Sequence, residues 1–190
     1  MRAMSVPIVL GVIGCASAVH AQALTVNAGS HVIQAQPNQV ISIYVSGGAE
    51  ILGADLVLQI GDGVAGPIIT GVDLESGIFL SNHTGQSGDI SLGRTAFYSI
   101  TADSEPVIGE GLWAQIELDA SGVPEGTYSL GFGPVEYPGF GTIESVFFSP
   151  TVITVPTDFI SGTITVVPEP SALLGAIALS AIAPLRRRRM

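Results

Sequence analysis

Carboxylates are the side chains best placed to do chemistry in this chain. Fifteen of its sixteen acidic residues lie between positions 22 and 167, where Arg94 is the only basic side chain. Oxygen donors in this number suit a hard divalent cation such as calcium. The candidate ligands are Asp62, in Gly61-Asp62-Gly63, and Asp73 with Glu75. Asp73 and Glu75 are two positions apart, so on a strand they would share one face, and paired carboxylates also serve glycoside hydrolysis. No EF-hand ladder of alternating acids accompanies them, and a solvated acidic face is the competing interpretation.

Other catalytic chemistries lack their parts. His31 and His83 are far apart in sequence, and neither has a partner at metal-ligand spacing. The serines form no Gly-Xaa-Ser-Xaa-Gly elbow. The single cysteine, Cys15, lies near the N-terminus, and the chain has no lysine for a phosphate loop. The expectation is a non-catalytic protein with no cofactor beyond a candidate calcium ion. Asn82-His83-Thr84 matches a glycosylation sequon but marks, by itself, only a polar loop. Trp113, Tyr137 and Phe140 are the candidate ligand contacts. Trp113 alternates with Leu112, Ala114 and Ile116, on the side of Gln115 and Glu117. That side either faces solvent, where the indole can stack on a sugar ring or anchor a protein contact, or lies under another strand or loop.

The elements that carry these residues are strands. Ala54, Leu56, Leu58 and Ile60 alternate with polar or outward positions, as do Leu112, Ala114, Ile116 and Leu118, and Tyr128, Leu130 and Phe132. This is the two-residue period of half-buried strands. The run Val40 to Val45 is apolar on both parities apart from Ser42, which predicts a strand covered on both sides. Turn signals recur at Gly47-Gly48, Gly61-Asp62-Gly63, Gly66-Pro67, Ser121-Gly122, Pro138-Gly139 and Ser161-Gly162. No helical period shows between them. The predicted fold is all-β: one antiparallel, jelly-roll-like sandwich over residues 22–167, ending on a strand from Thr163 to Val167. Leu56, Leu58, Ile60, Leu112, Ile116, Leu118 and Leu130 are its expected inward face. With no cysteine in the body, stability must come from packing.

The two ends read as addresses. Residues 1–21 combine Arg2, an apolar run from Val6 to Ala18 and small residues before Ala21, the pattern of a secretory signal cleaved after Ala21. Cleavage after Ala23 and lipidation of Cys15 in Val12-Ile13-Gly14-Cys15 are the alternatives. At the other end, Val167-Pro168-Glu169-Pro170 precedes an apolar run from Ala172 to Leu185 and then Arg186, Arg187, Arg188 and Arg189. Two prolines hold the link extended, and the arginines act as a stop-transfer signal on the cytoplasmic side. Residues 168–190 resemble the PEP-CTERM sorting tail of bacterial envelope proteins. That resemblance implies export, inner-membrane association through the tail, recognition by an exosortase-type processing enzyme, and a final place at the cell surface or in the extracellular matrix.

The body carries fifteen acids against one arginine, a formal charge of −14. Such a surface repels nucleic acid and anionic lipid. The order of Pro37 to Val45, Asp73 to Asn82, Gly109-Glu110-Gly111-Leu112-Trp113 and Gly122 to Leu130 is similar to the cohesin-type modules, jelly-roll sandwiches related in shape to a carbohydrate-binding group. The resemblance implies a fold and a protein partner outside the cell. A polysaccharide partner, bound through exposed aromatics, is the alternative. The strand assignment is open to test at Ile116, where replacement by Ala should cost about 2–5 kcal/mol in urea melts. A cost below about 1 kcal/mol would place that side chain at the surface.

Overall fold

The computed structural model describes residues 22–91, 93–137, 141–151 and 153–169. The leader, with Ala21 and Cys15, lies outside the described residues, as does the tail from Pro170 onward. Among the described residues all regular structure is strand. In chain order these are β1 (Leu24–Asn27), β2 (Ser30–Gln34), β3 (Gln39–Ser46), β4 (Glu50–Ile51), β5 (Gly53–Ile60), β6 (Ile68–Asp73), β7 (Gln86–Ser91) and β8 (Thr95–Thr101). There follow β9 (Val107–Ile108), β10 (Gly111–Asp119), β11 (Gly126–Gly131), β12 (Val135–Tyr137), β13 (Gly141–Ile143), β14 (Val146–Phe148), β15 (Thr157–Ile160) and β16 (Gly162–Val167).

Two sheets make the sandwich. One has the order β15-β1-β3-β10-β6, and the other β2-β16-β11-β5-β8-β7, with β14 also paired to β5. β12-β13 and β4-β9 are separate ribbons. The alternating apolar positions meet between the sheets. Leu56, Leu58, Ile60, Ile116, Leu118 and Leu130 are all fully buried in one continuous core. Burial on this scale, at about 25 cal/mol per Å² of apolar surface, is the driving force available to a body without disulfides.

β3 departs from expectation. Ile41, Ile43 and Val45 are buried, but Val40 and Tyr44 are 54% and 55% exposed. The strand is covered on one side only, because its apolar outer residues find no second layer above them. Its neighbour in the sheet, β10, also departs from expectation. Leu112, expected inside, is only partly buried. It pairs with exposed Tyr44, while Ala114 pairs with Ile43, so Trp113 is an extra residue at a bulge. One inserted residue reverses the parity of everything before it.

The central strand β5 needs a substitute for backbone pairing. β8 covers one side of it from Gly53 to Gln59. On the other side β11 pairs only with Gln59 and Ile60, and β14 only with Gly53 to Asp55. Val57 falls in the gap and is buried on the outer face. Ser145 fills the gap: its Oγ accepts the Val57 N–H at 2.8 Å and donates to the Val57 carbonyl at 2.9 Å. A buried backbone pair without partners would be costly.

The first and last strands change sheets together. β1 pairs parallel with β15 in one sheet, and β2 pairs parallel with β16 in the other. At the crossing Thr163 N donates to the Gly29 carbonyl at 3.0 Å, and a side chain at Gly162 would overlap that same oxygen. Ser145→Ala removes both partners of Val57 at once. It should lower stability by about 2–4 kcal/mol, from one buried donor and one acceptor at roughly 1–3 kcal/mol each. A loss under about 0.5 kcal/mol in urea melts would show that other groups take over the bonds.

Candidate functional site

Trp113, the one aromatic candidate whose side chain is described, does not lie at the surface. The bulge turns Trp113 inward, where it is 0% exposed. Its ring centroid lies 4.6 Å from Phe147, 6.2 Å from Phe132 and 6.4 Å from Phe159. Of the two alternatives for this side of the strand the covered one holds, and no ring face is left to stack on a sugar. The indole Nε1 is buried with no acceptor among the described residues. Tyr137 ends β12, opposite Gly141, and Phe140 lies outside the described residues.

The carboxylates are engaged locally. Asp62 Oδ1 accepts the Val64 and Ala65 N–H groups at 2.9 and 3.0 Å. Asp73 ends β6, and Glu75 lies in the turn beyond it, so the two do not share a strand face. Asp73 Oδ1 accepts the Glu75 and Ser76 N–H groups at 2.7 and 3.0 Å, and its Oδ2 accepts the Ser76 hydroxyl. Glu75 Oε1 accepts the Gln86 N–H at 2.9 Å and stands 3.8 Å from His83 Nδ1. His83 Nδ1 in turn accepts the Gly85 N–H at 3.0 Å. These are the bonds of short polar turns, in which Asx side chains replace missing backbone partners. No group of three or more His, Cys, Asp or Glu with metal-binding geometry occurs among the described residues. Asn82 is similarly occupied: its amide donates to the Glu105 carbonyl at 2.6 Å and its oxygen accepts the Asp103 and Ser104 N–H groups.

The residues expected to form a sorting motif are described as far as Glu169. Val167 is the last residue of β16 and pairs with Gln34, and Pro168 and Glu169 follow it. Pro170 and Arg186, Arg187, Arg188 and Arg189 lie outside the described residues. No helix among the described residues is long and apolar enough to cross a membrane.

One concave feature went unnoticed in the sequence. A groove of about 840 Å³ opens between the β4-β9 ribbon and the loop after β14. Gln22, Glu50, Ile108, Pro150, Ile153 and Pro156 line it. Ile108 and Ile153 are 52% and 65% exposed. The signal for it was three apolar residues, Val152, Ile153 and Val155, between Pro150 and Pro156, and nothing in the pattern joined that stretch to Ile108, more than forty residues earlier.

The fold is a jelly-roll sandwich of the kind seen in cohesin modules. Solved structures share it. A non-cellulosomal cohesin from the archaeon Archaeoglobus fulgidus matches with a TM-score of 0.58 and 15% identity, covering 80% of this chain and 96% of that one. The third ScaC cohesin of Acetivibrio cellulolyticus, solved with the ScaB dockerin, matches with a TM-score of 0.57 and 14% identity over 76% and 99% of the two chains. The cohesin of a Coh-OlpC-Doc435 complex from Clostridium thermocellum matches with a TM-score of 0.55 and 13% identity over 78% and 96%. No protein-family model matches the sequence, and no curated protein matches it.

The capped acids make stability depend on pH. The Val64 and Ala65 N–H groups hold the Asp62 carboxyl below its ordinary value of 3.8. Burial works to raise Asp73, but the Ser76 hydroxyl and the Ser76 and Glu75 N–H groups together outweigh it and lower that carboxyl too. The Ser121 hydroxyl and N–H lower Asp119. A carboxyl lowered by folding contributes stability above its unfolded pKa, and the contribution is lost as pH falls through the folded value. Urea midpoints should therefore stay level from about pH 7 to about 5 and fall below about pH 4. Asp73→Asn, which keeps the acceptor and removes the titration, should flatten that fall. An identical acid slope in the variant would count against Asp73 as one of its sources.

Proposed function

We propose that this is an exported, non-catalytic protein whose sandwich, residues 22–167, is a cohesin-like interaction module outside the cell. Residues 1–21 act as its secretory signal, cleaved after Ala21, and residues 168–190 as a PEP-CTERM tail read by an exosortase-type enzyme. The observation that carries the module is the cohesin-type fold, matched over about four-fifths of the chain. Cohesins of the same fold are solved in complex with dockerins. By analogy, the partner here is a protein met after export. The tail rests on its own sequence: an extended Pro-Glu-Pro link, an apolar run and a basic end, in that order.

The physics of the tail fits a transient role. The run Ala172 to Leu185 spans roughly 21 Å as a helix, at about 1.5 Å per residue. The hydrocarbon core is about 30 Å thick, so the span is short even with arginine snorkelling and local thinning. Arginine is costly to move across hydrocarbon, so Arg186 to Arg189 stay in the cytoplasm and the acidic body stays outside. Pro168-Glu169-Pro170 then offers an extended backbone at the membrane surface with one charged group, Glu169, as the specificity handle. The competing polysaccharide reading loses its main support with the burial of Trp113.

Mass spectrometry of the native mature protein would fix both termini. In the natural host, Glu169→Ala should leave membrane insertion intact and let an unprocessed form accumulate in the membrane fraction. Serine in place of Arg186 to Arg189 should instead disturb retention at the membrane. Normal maturation of the Glu169→Ala protein would make the tail a plain anchor.

A further inference from the structure

The groove lies at the end of the sandwich away from the tail. The chain enters beside it, where Leu24 N donates to the Pro156 carbonyl at 2.8 Å and Thr25 pairs with Ser46 at the end of β3. The chain leaves from Val167, which pairs with Gln34, close to Gln39 at the start of β3. The eight residues of β3 separate these ends by roughly 25 Å at about 3.3 Å per residue. A body held at Val167 would present the groove outward.

Charge at that end has one sign. Glu50 lines the groove and pairs with Ile108 across the ribbon. Glu110, two residues beyond Ile108, accepts the Gly47 N–H at 3.1 Å. Asp103 and Glu105 follow Ala102, whose N–H bonds the Leu52 carbonyl at the same end. All four acids are exposed. Arg94, the only basic side chain of the body, sits at the far end of β5, where its carbonyl accepts the Ile60 N–H. Apolar walls beside Glu50, with further carboxylates and no arginine at this end among the described residues, suit an aliphatic ligand that carries positive charge.

We infer that this groove docks a peptide segment of another exported protein, with aliphatic side chains flanked by lysine or arginine. The apolar side chains cover Ile108 and Ile153, and the basic ones meet Glu50 and Glu110. A second copy of the body is a poor occupant, because it offers Arg94 as its only cation and brings the same acidic rim. Anionic lipid is repelled for the same reason. The inference rests on the sandwich being an interaction module, and it specifies the kind of partner and the place.

The test uses the full-length protein in a neutral detergent, titrated calorimetrically with the peptide Ac-Leu-Arg-Ile-Lys-Leu-NH2. Two control peptides replace its basic residues by glutamate or its aliphatic residues by serine. The basic aliphatic peptide should bind, and both controls should bind at least about tenfold more weakly. Ile108→Ser with Ile153→Ser should weaken it about tenfold, through lost apolar contact. Glu50→Gln with Glu110→Gln keeps the Gly47 hydrogen bond and should weaken binding several-fold while flattening its salt dependence. Equal binding by the serine-substituted control, unchanged affinity in the double-serine variant, or no binding at about 1 mM would overturn the proposal. So would self-association abolished by the double-serine change, which would assign the groove to a second copy. Tail processing is read independently, so failed peptide binding with normal maturation removes the groove and leaves the export reading standing.

Discussion

The paired crossing of the terminal strands is the constraint on which the rest of the sandwich depends. β1-β2 and β15-β16 pass from one sheet to the other side by side, and the backbones touch at Gly29 and Gly162. A side chain at Gly162 has no room, so glycine is required there by close approach. The crossing ties the first strands of the body to the last without a disulfide.

Within that frame the bulge at Trp113 decides what the core is made of. The indole completes an aromatic cluster with Phe132, Phe147 and Phe159 that spans the two sheets. Phe147 comes from β14, which repairs the upper half of β5, and Ser145 bridges the gap just before it. Backbone pairing and aromatic packing are thus supplied by one short stretch, residues 145–148. An unpartnered Nε1 costs about 1–3 kcal/mol, which the cluster's buried area offsets.

The acids divide into those that build turns and those that set the field. Asp62, Asp73 and Asp119 spend their oxygens on neighbouring N–H groups. The others make a surface of one sign around a single arginine. Such a field repels polyanions. The aliphatic groove at the end away from Val167 combines this field with exposed apolar area.

The sequence by itself determined the fold class and most of the core. Period-two patterning is a local property, so Leu56, Leu58, Ile60, Ile116, Leu118 and Leu130 could be placed inside from their neighbours alone. The targeting segments proposed at the two ends rest on linear order alone. Tertiary structure decided the faces of Leu112 and Trp113, because an inserted residue in a strand leaves no mark on composition and reverses parity only against a partner strand. It decided that Val40 and Tyr44 face outward, because a second covering layer is a long-range fact. It turned Asp73 and Glu75 from a shared strand face into a turn, since β6 ends between them. The groove of Glu50, Ile108 and Ile153 joins segments more than forty residues apart, and only folding brings them together.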